Sequence, residues 1–161
     1  MAVVLVTGMS GTGKSTVLVE LARRGVDVVD LDDPGWSVEV PTADGAGFEQ
    51  LWDEPRVEDL LTAYDRRPLV IAGCASNQGR FYARFAAVVL LSAPVDVLRA
   101  RLATRATNDF GKTPEELDRI LRDVAEVEPL LRATSTCELD ATAPVTDLAD
   151  RIESLLAAPG R

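Results

Sequence analysis

The feature that most restricts the fold is the stretch TGMSGTGKST, Thr7 to Thr16, set directly behind the apolar run Ala2 to Val6. Gly8, Gly13, Lys14 and Ser15 satisfy G-x-x-x-x-G-K-[ST], and between a buried strand and a helix this spacing makes a phosphate-binding loop. The physical basis is anion capture. Gly8, Gly11 and Gly13 let the backbone bend so that successive N–H groups, those of Ser10 and Thr12 among them, turn inward. The helix beginning near Lys14 adds its positive end. Lys14 is expected to reach the β- and γ-phosphates, the Ser15 hydroxyl to be a ligand of Mg²⁺ bridging them, and Thr16 to cap the α-phosphate side.

With 161 residues, the chain is expected to form one domain, 1–161, around a single core. The 26 acidic against 17 basic residues give a formal charge of -9, which repels polyanions and acidic membranes. Neither nucleic acid nor a membrane is therefore expected as a partner. No apolar run approaches the roughly 18 residues of a membrane span, and no basic segment precedes the short N-terminal hydrophobic stretch. A cytoplasmic protein, monomer or homodimer, is expected. Cys74 and Cys137 form neither a C-x-x-C pair nor a disulfide framework and read as reduced thiols. The chain has no histidine, so a general base must be a carboxylate, lysine, tyrosine or cysteine.

Buried strands are read at Ala2–Val6, at the start of VDVVDLDD (Val26 to Asp33), at Pro68–Gly73 and at Ala86–Ser92, with a short fifth around Cys137. Helices fall between them: Lys14 to Arg24, the segment after Ser92, a helix opened by Thr113-Pro114-Glu115-Glu116, and an amphipathic terminal helix from Val145. Trp36 to Arg67 reads as a loop, SVEVPTADGAG, followed by a helix from about Phe48 to Tyr64. Strands alternating with helices imply right-handed crossovers and a parallel sheet covered on both faces, an α/β/α sandwich.

A phosphate loop does not name a reaction, because GTPases, motor ATPases and kinases all use one. Asp30, Asp32 and Asp33 follow the second strand, at the sheet edge that faces the ligand crevice. One of them can sit beside Mg²⁺ and another beside an acceptor hydroxyl. Asp-Asp-Pro-Gly is also good turn chemistry, and Asp33 is the plainest turn residue of the three.

At these residues the chain resembles the small P-loop kinases of metabolites, such as shikimate and gluconate kinases, and more distantly the nucleoside monophosphate kinases. The resemblance implies five parallel strands in the order 2-3-1-4-5, ATP with Mg²⁺, an acceptor segment near 34–67 and a lid near 105–113. In shikimate kinases an Asp-x-Asp after the second strand puts one carboxylate near the metal and the next on the acceptor hydroxyl, the placement matched by Asp30-Leu31-Asp32. Metal ligation by Ser15, Asp30 and Asp32, and catalysis by Lys14, Asp32 and Arg105, follow from it. Arg101 and Arg105 stand where the family carries arginines toward ATP, with Lys112 a further lid cation. The loop Leu139–Val145, with Thr142 and Pro144, resembles the one that cradles adenine.

The acceptor end departs from that pattern. Where shikimate kinases have a glycine triplet, this chain keeps Gly73 and continues Cys74-Ala75-Ser76. The arginine that grips the shikimate carboxylate falls near Val127, flanked by Glu126 and Glu128. A neutral hydroxylated acceptor is therefore expected, with Trp36 and Trp52 as walls and Asp32, Asp33, Arg56, Gly73, Asn77 and Arg80 as contacts. Two alternatives stand beside it: a nucleoside or nucleoside monophosphate kinase, and an ATPase or switch module. Asp32-x-x-Gly35 superficially fits a GTPase switch, but no Asn-Lys-x-Asp guanine motif occurs and no acidic pair ends the third strand.

Overall fold

A computed structural model of the chain describes residues 2–64, 67–104 and 113–158. Five parallel strands form its sheet: β1 (Val3–Thr7), β2 (Val28–Asp30), β5 (Leu69–Ala72), β6 (Ala87–Ser92) and β7 (Cys137–Asp140). They lie side by side as β2-β5-β1-β6-β7. Taken in chain order, these five are arranged 2-3-1-4-5, as expected. β1 is central, with Val3 to Val6 in register with Leu69 to Ala72 on one side and Val4 to Thr7 with Ala87 to Leu90 on the other. Every residue of β1 and β5 is buried, which explains why both read as unbroken aliphatic runs rather than alternating ones.

Alternate residues of these strands feed two faces. Val4, Val6, Val70, Ala72, Val89 and Leu91 pack against α1 (Lys14–Arg23) and α5 (Val145–Ala157). On the opposite face, Val3, Leu5, Leu69, Ile71 and Val88 meet α2 (Glu54–Ala63) and a 3-10 segment, Gln78–Arg84. Leu90 on that face is covered by Leu98 of α3 (Val95–Thr104) and by Val124 and Leu131 of α4 (Pro114–Thr134). Thr113 caps α4 by accepting from the Glu116 N–H, with Pro114 at its first position.

The stretch from Trp36 differs from the sequence reading. Ser37–Pro41 is a strand, β3, and Phe48–Trp52 is its antiparallel partner, β4, so the expected loop and the first turns of the expected helix are instead a hairpin. Val38 and Val40 alternate with Glu39 and Pro41, and the strands run from the pair Pro41 and Phe48 to the pair Ser37 and Trp52. The helix starts only at Glu54, where Asp53 accepts from the Arg56 N–H and Pro55 lies in the first turn. Asp-Glu-Pro was the start signal, and it lies five residues after Phe48.

α1 and α5 are joined by charge as well as by apolar packing. Arg24 donates to Glu20 at 2.8 Å, to Asp150 at 2.6 Å and to Glu153 at 3.1 Å. The fully buried Ile152 beneath them contributes about 1.5–3 kcal/mol, so apolar burial holds α5 and the ion cluster orients it. The guanidinium groups of Arg23 and Arg24 hold the Glu20 carboxyl down to about 2 from its ordinary 4.5. A carboxyl depressed on folding stabilises the fold above its unfolded value, and that stabilisation is lost as pH falls through the folded one. Thermal melting is therefore expected to decline between about pH 4.5 and pH 2, and Glu20→Gln to flatten this part of the profile; an identical profile for the variant would exclude Glu20 as the sensitive group.

Candidate active site

The strand order brings the C-terminal ends of β1, β2 and β5 together, and each end carries part of the site. After β1, the loop Gly8–Gly13 runs into α1, with Lys14 as the first helical residue. Gly11 and Gly13 have φ of 87° and 93°, a region that residues with a Cβ rarely enter. Gly8 is constrained by space as well: a Cβ there would lie 2.5 Å from the Leu91 carbonyl oxygen. Thr12 is buried and donates its hydroxyl to the Met9 carbonyl at 2.8 Å, bracing the bend from within. Ser10 is half-buried and Thr16 is exposed.

Lys14 folds back over the loop, its Nζ donating to the Gly8 carbonyl at 2.6 Å and to the Met9 carbonyl at 3.3 Å. The same Nζ is 3.9 Å from Asp32 Oδ2. Ser15 Oγ donates to Asp30 Oδ2 at 2.8 Å, so two of the three residues read as metal-binding are already in contact. Asp30 Oδ1 accepts from the Asp32 N–H at 3.0 Å, and Asp32 Oδ1 accepts from the Cys74 N–H at 3.2 Å. Asp33, the third acid, has its carboxyl pushed up by desolvation and by the charges of Asp30 and Asp32. Burial likewise pushes the Cys74 thiol up, against the pull of Lys14, and both cysteines are free.

A hydroxyl and a carboxylate in contact form a hard-oxygen donor pair of the kind Mg²⁺ uses when it also takes phosphate oxygens. Among the described residues no group of three or more His, Cys, Asp or Glu could hold a metal ion alone. The donor set therefore fits a metal that arrives with a phosphate ligand, and Ser15 and Asp30 are the residues that would hold it.

Arg101 reaches the phosphate loop from α3. Its Nη1 donates to the carbonyls of Gly11 and Thr12, both at 3.3 Å, and its Nη2 donates to the Ala141 carbonyl at 2.7 Å. One side chain thus straps the loop after β1 to the loop after β7. In that second loop Asp140 accepts from the Thr142 N–H and hydroxyl, which hold its carboxyl below the usual range, and Pro144 leads into α5. Arg101→Ala is expected to raise the KM for ATP about tenfold with a smaller change in kcat, since it releases two loops rather than a reacting group. Steady-state kinetics at varied ATP decides this, and an unchanged KM would show that the strap is dispensable. Arg105, Lys112 and the lid near 105–113 lie outside the described residues, apart from Thr113.

The residues proposed for the acceptor fall into two groups. Asp32, Asp33 and Trp36 stand at or just beyond the end of β2, and Arg56 stacks over the Trp36 ring at 4.7 Å. Gly73 follows β5 and its N–H donates to the Val6 carbonyl at 3.1 Å. A Cβ on Gly73 would meet the Trp52 ring at 3.1 Å, and Trp52 itself is buried beneath it as core rather than as an exposed wall. Asn77 faces the end of the hairpin, and Arg80 the start of α2. Asn77 accepts from the Trp52 N–H and donates to the Trp52 carbonyl, both at 3.0 Å, and to Glu54 at 3.2 Å. Exposed Arg80 pairs with Glu54 at 3.3 Å. Sequence reasoning missed Gln78, which is buried beside Thr7 and belongs to no motif.

A family model described as AAA domain matches residues 4–122, which span the phosphate loop, the acid cluster and β1 to β6. The chain belongs to the AAA domain family. Solved structures with the same fold include a shikimate kinase from Acinetobacter baumannii in complex with shikimate, 20% identical, with a TM-score of 0.63 over 98% of this chain and 93% of that one. A sugar kinase from Janibacter sp. gives 20% identity and a TM-score of 0.59 over 98% of this chain and 95% of that one. A gluconokinase from Sinorhizobium meliloti gives 20% and 0.56 over 97% and 91%. No curated protein sequence matches the chain. This member of the AAA domain family therefore has the α/β/α fold found in small P-loop kinases. Among its described residues no helix is long and apolar enough to cross a membrane.

Proposed function

We propose that this AAA domain protein transfers the γ-phosphoryl group of ATP to a hydroxyl of a small, neutral metabolite. The observation that carries the reading is the convergence of Lys14, the Ser15–Asp30 pair and Asp32 at the ends of β1 and β2. A donor loop alone would serve any nucleotide-binding module. A second carboxylate 3.9 Å from the loop lysine, outside the Ser15–Asp30 pair, supplies what an acceptor hydroxyl needs.

In this reading the inward-turned amides of Ser10 to Gly13 and the N-terminus of α1 hold the phosphates, and Thr16 lies toward the α-phosphate. Lys14 swings its Nζ from the loop carbonyls to the β- and γ-phosphate oxygens. Mg²⁺, held by Ser15 and Asp30 with Asp32 nearby, would supply neutralisation of those oxygens. Asp32 orients the acceptor hydroxyl and receives its proton. The acceptor oxygen forms a bond to the γ-phosphorus as the bond from phosphorus to the β–γ bridging oxygen breaks, and ADP leaves. Arg101 and the loop bearing Thr142 and Pro144 lie on the nucleotide side, and Arg105 is the candidate for the charge that meets the transferring group. Trp36, Arg56, Asp33 and Gly73 line the acceptor side.

The experiment is a screen of ATP consumption with sugars, cyclitols, nucleosides and nucleoside monophosphates. Turnover that rises with a neutral hydroxylated compound supports the reading. Turnover with nucleosides or their monophosphates transfers the activity to that class, and no acceptor-dependent turnover overturns phosphoryl transfer to a metabolite.

A further inference from the structure

Gln78 is a buried side-chain amide at the base of the site with both its amide nitrogen and its carbonyl oxygen hydrogen-bonded. Its Nε2 donates to Thr7 Oγ1 at 3.2 Å and to the Tyr82 hydroxyl at 2.8 Å, and its Oε1 accepts from the Ala75 N–H at 2.9 Å. It is 3% exposed, and Thr7 is fully buried. Thr7 is the last residue of β1 and precedes Gly8, whose carbonyl takes Lys14 Nζ. Ala75 follows Cys74, whose N–H takes Asp32, and Asp32 stands 3.9 Å from Lys14 Nζ. These contacts close on themselves. From Thr7 the path runs through Gln78 to Ala75, along the chain to Cys74, across to Asp32, on to Lys14, and back through Gly8 to Thr7.

We propose that Gln78 is a positioning residue that sets the distance between the phosphate loop and Asp32, by fixing the Gly73–Asn77 loop against the end of β1. The proposal rests on the phosphoryl-transfer reading for its catalytic consequence. Three features carry it. The amide is buried, so its hydrogen bonds do not compete with water and fix one geometry. Its partners are Thr7 at the end of β1, Ala75 in the loop after β5 and Tyr82 in its own 3-10 segment, so it holds that loop against the end of β1. The peptide it grips adjoins the amide that orients Asp32. Asn77, the preceding residue, fastens the same loop to Trp52, so the pair grips both the hairpin and the phosphate loop.

The test uses Gln78→Met, which keeps length and apolar volume while removing all three contacts, and Thr7→Val, which removes only the hydroxyl. Amide hydrogen exchange is followed by NMR on the whole chain. Cys74 protection is expected to fall at least tenfold in Gln78→Met, with the amides of β2 and α5 unchanged. With Mg²⁺, ATP and the acceptor that gives the highest turnover in the screen, kcat is expected to fall about tenfold while the KM for ATP stays within about threefold. Thr7→Val is expected to shift both readouts in the same direction by less, and it carries the test if Gln78→Met does not fold. Loss of protection at Ala75 alone, or a kcat equal to wild type in the folded variant, overturns the proposal. A wild-type chain that shows no acceptor-dependent turnover overturns the kinase reading instead, and the exchange at Cys74 then decides the positioning role.

Discussion

Lys14→Ala is expected to lower ATP turnover by about 10²- to 10³-fold while leaving the fold intact. Among the described residues, Lys14 Nζ holds the Gly8 and Met9 carbonyls and the Asp32 carboxylate, and none of these contacts belongs to the core. Alanine is a good helix former at the first position of α1, so the helix does not oppose the change. What disappears is the one mobile charge of the phosphate loop, which matters most as charge spreads over the transferring oxygens. Turnover measured beside a thermal melt separates the two effects. Full activity in a folded variant would defeat the phosphate-loop assignment, and loss of both would make Lys14 a structural residue.

Asp32→Asn is expected to cut kcat by about 10²- to 10⁴-fold with little change in ATP affinity. Asparagine keeps an oxygen for the Cys74 N–H, so the local geometry survives. It cannot accept a proton, and it removes the negative charge 3.9 Å from Lys14. The phosphate contacts proposed above lie on the loop after β1 and do not pass through Asp32, which is why binding and rate are expected to part company. An unchanged kcat would transfer the role to Asp30. Equal losses in binding and rate would place Asp32 among the residues that hold the nucleotide and its metal.

The donor side of this arrangement was legible because its physics is local. Gly8, Gly13, Lys14 and Ser15 stand close together in the chain, and the aliphatic runs around them can only be buried strands. The five-stranded sheet followed from the same runs. The acceptor side was less legible because its contacts are long-range. Nothing near Gln78 announces that it will reach Thr7, 71 positions away, and nothing near Asn77 points to Trp52. The hairpin β3–β4 was read as a loop and helix because Val38 and Val40 are too few to show a period of two, and Phe48 to Trp52 carries acidic and amide residues on a half-exposed ribbon. The Asp53-Glu54-Pro55 start signal was present, and gave the true beginning of α2.

The register of β1 against β5 has a consequence for tolerance to change. Val6 lies opposite Ala72, so the phosphate loop and the loop that orients Asp32 leave adjacent strands at the same height. The sheet's hydrogen-bonding ladder sets the height at which each loop leaves, and Gln78 fixes the second loop within that frame. A slip of one residue would move one loop about 3.3 Å past the other and turn its flanking side chains to the wrong face. The relative height of the two loops is therefore inherited from the sheet. A substitution deep in β1 or β5 that leaves the protein folded can shift both loops at once.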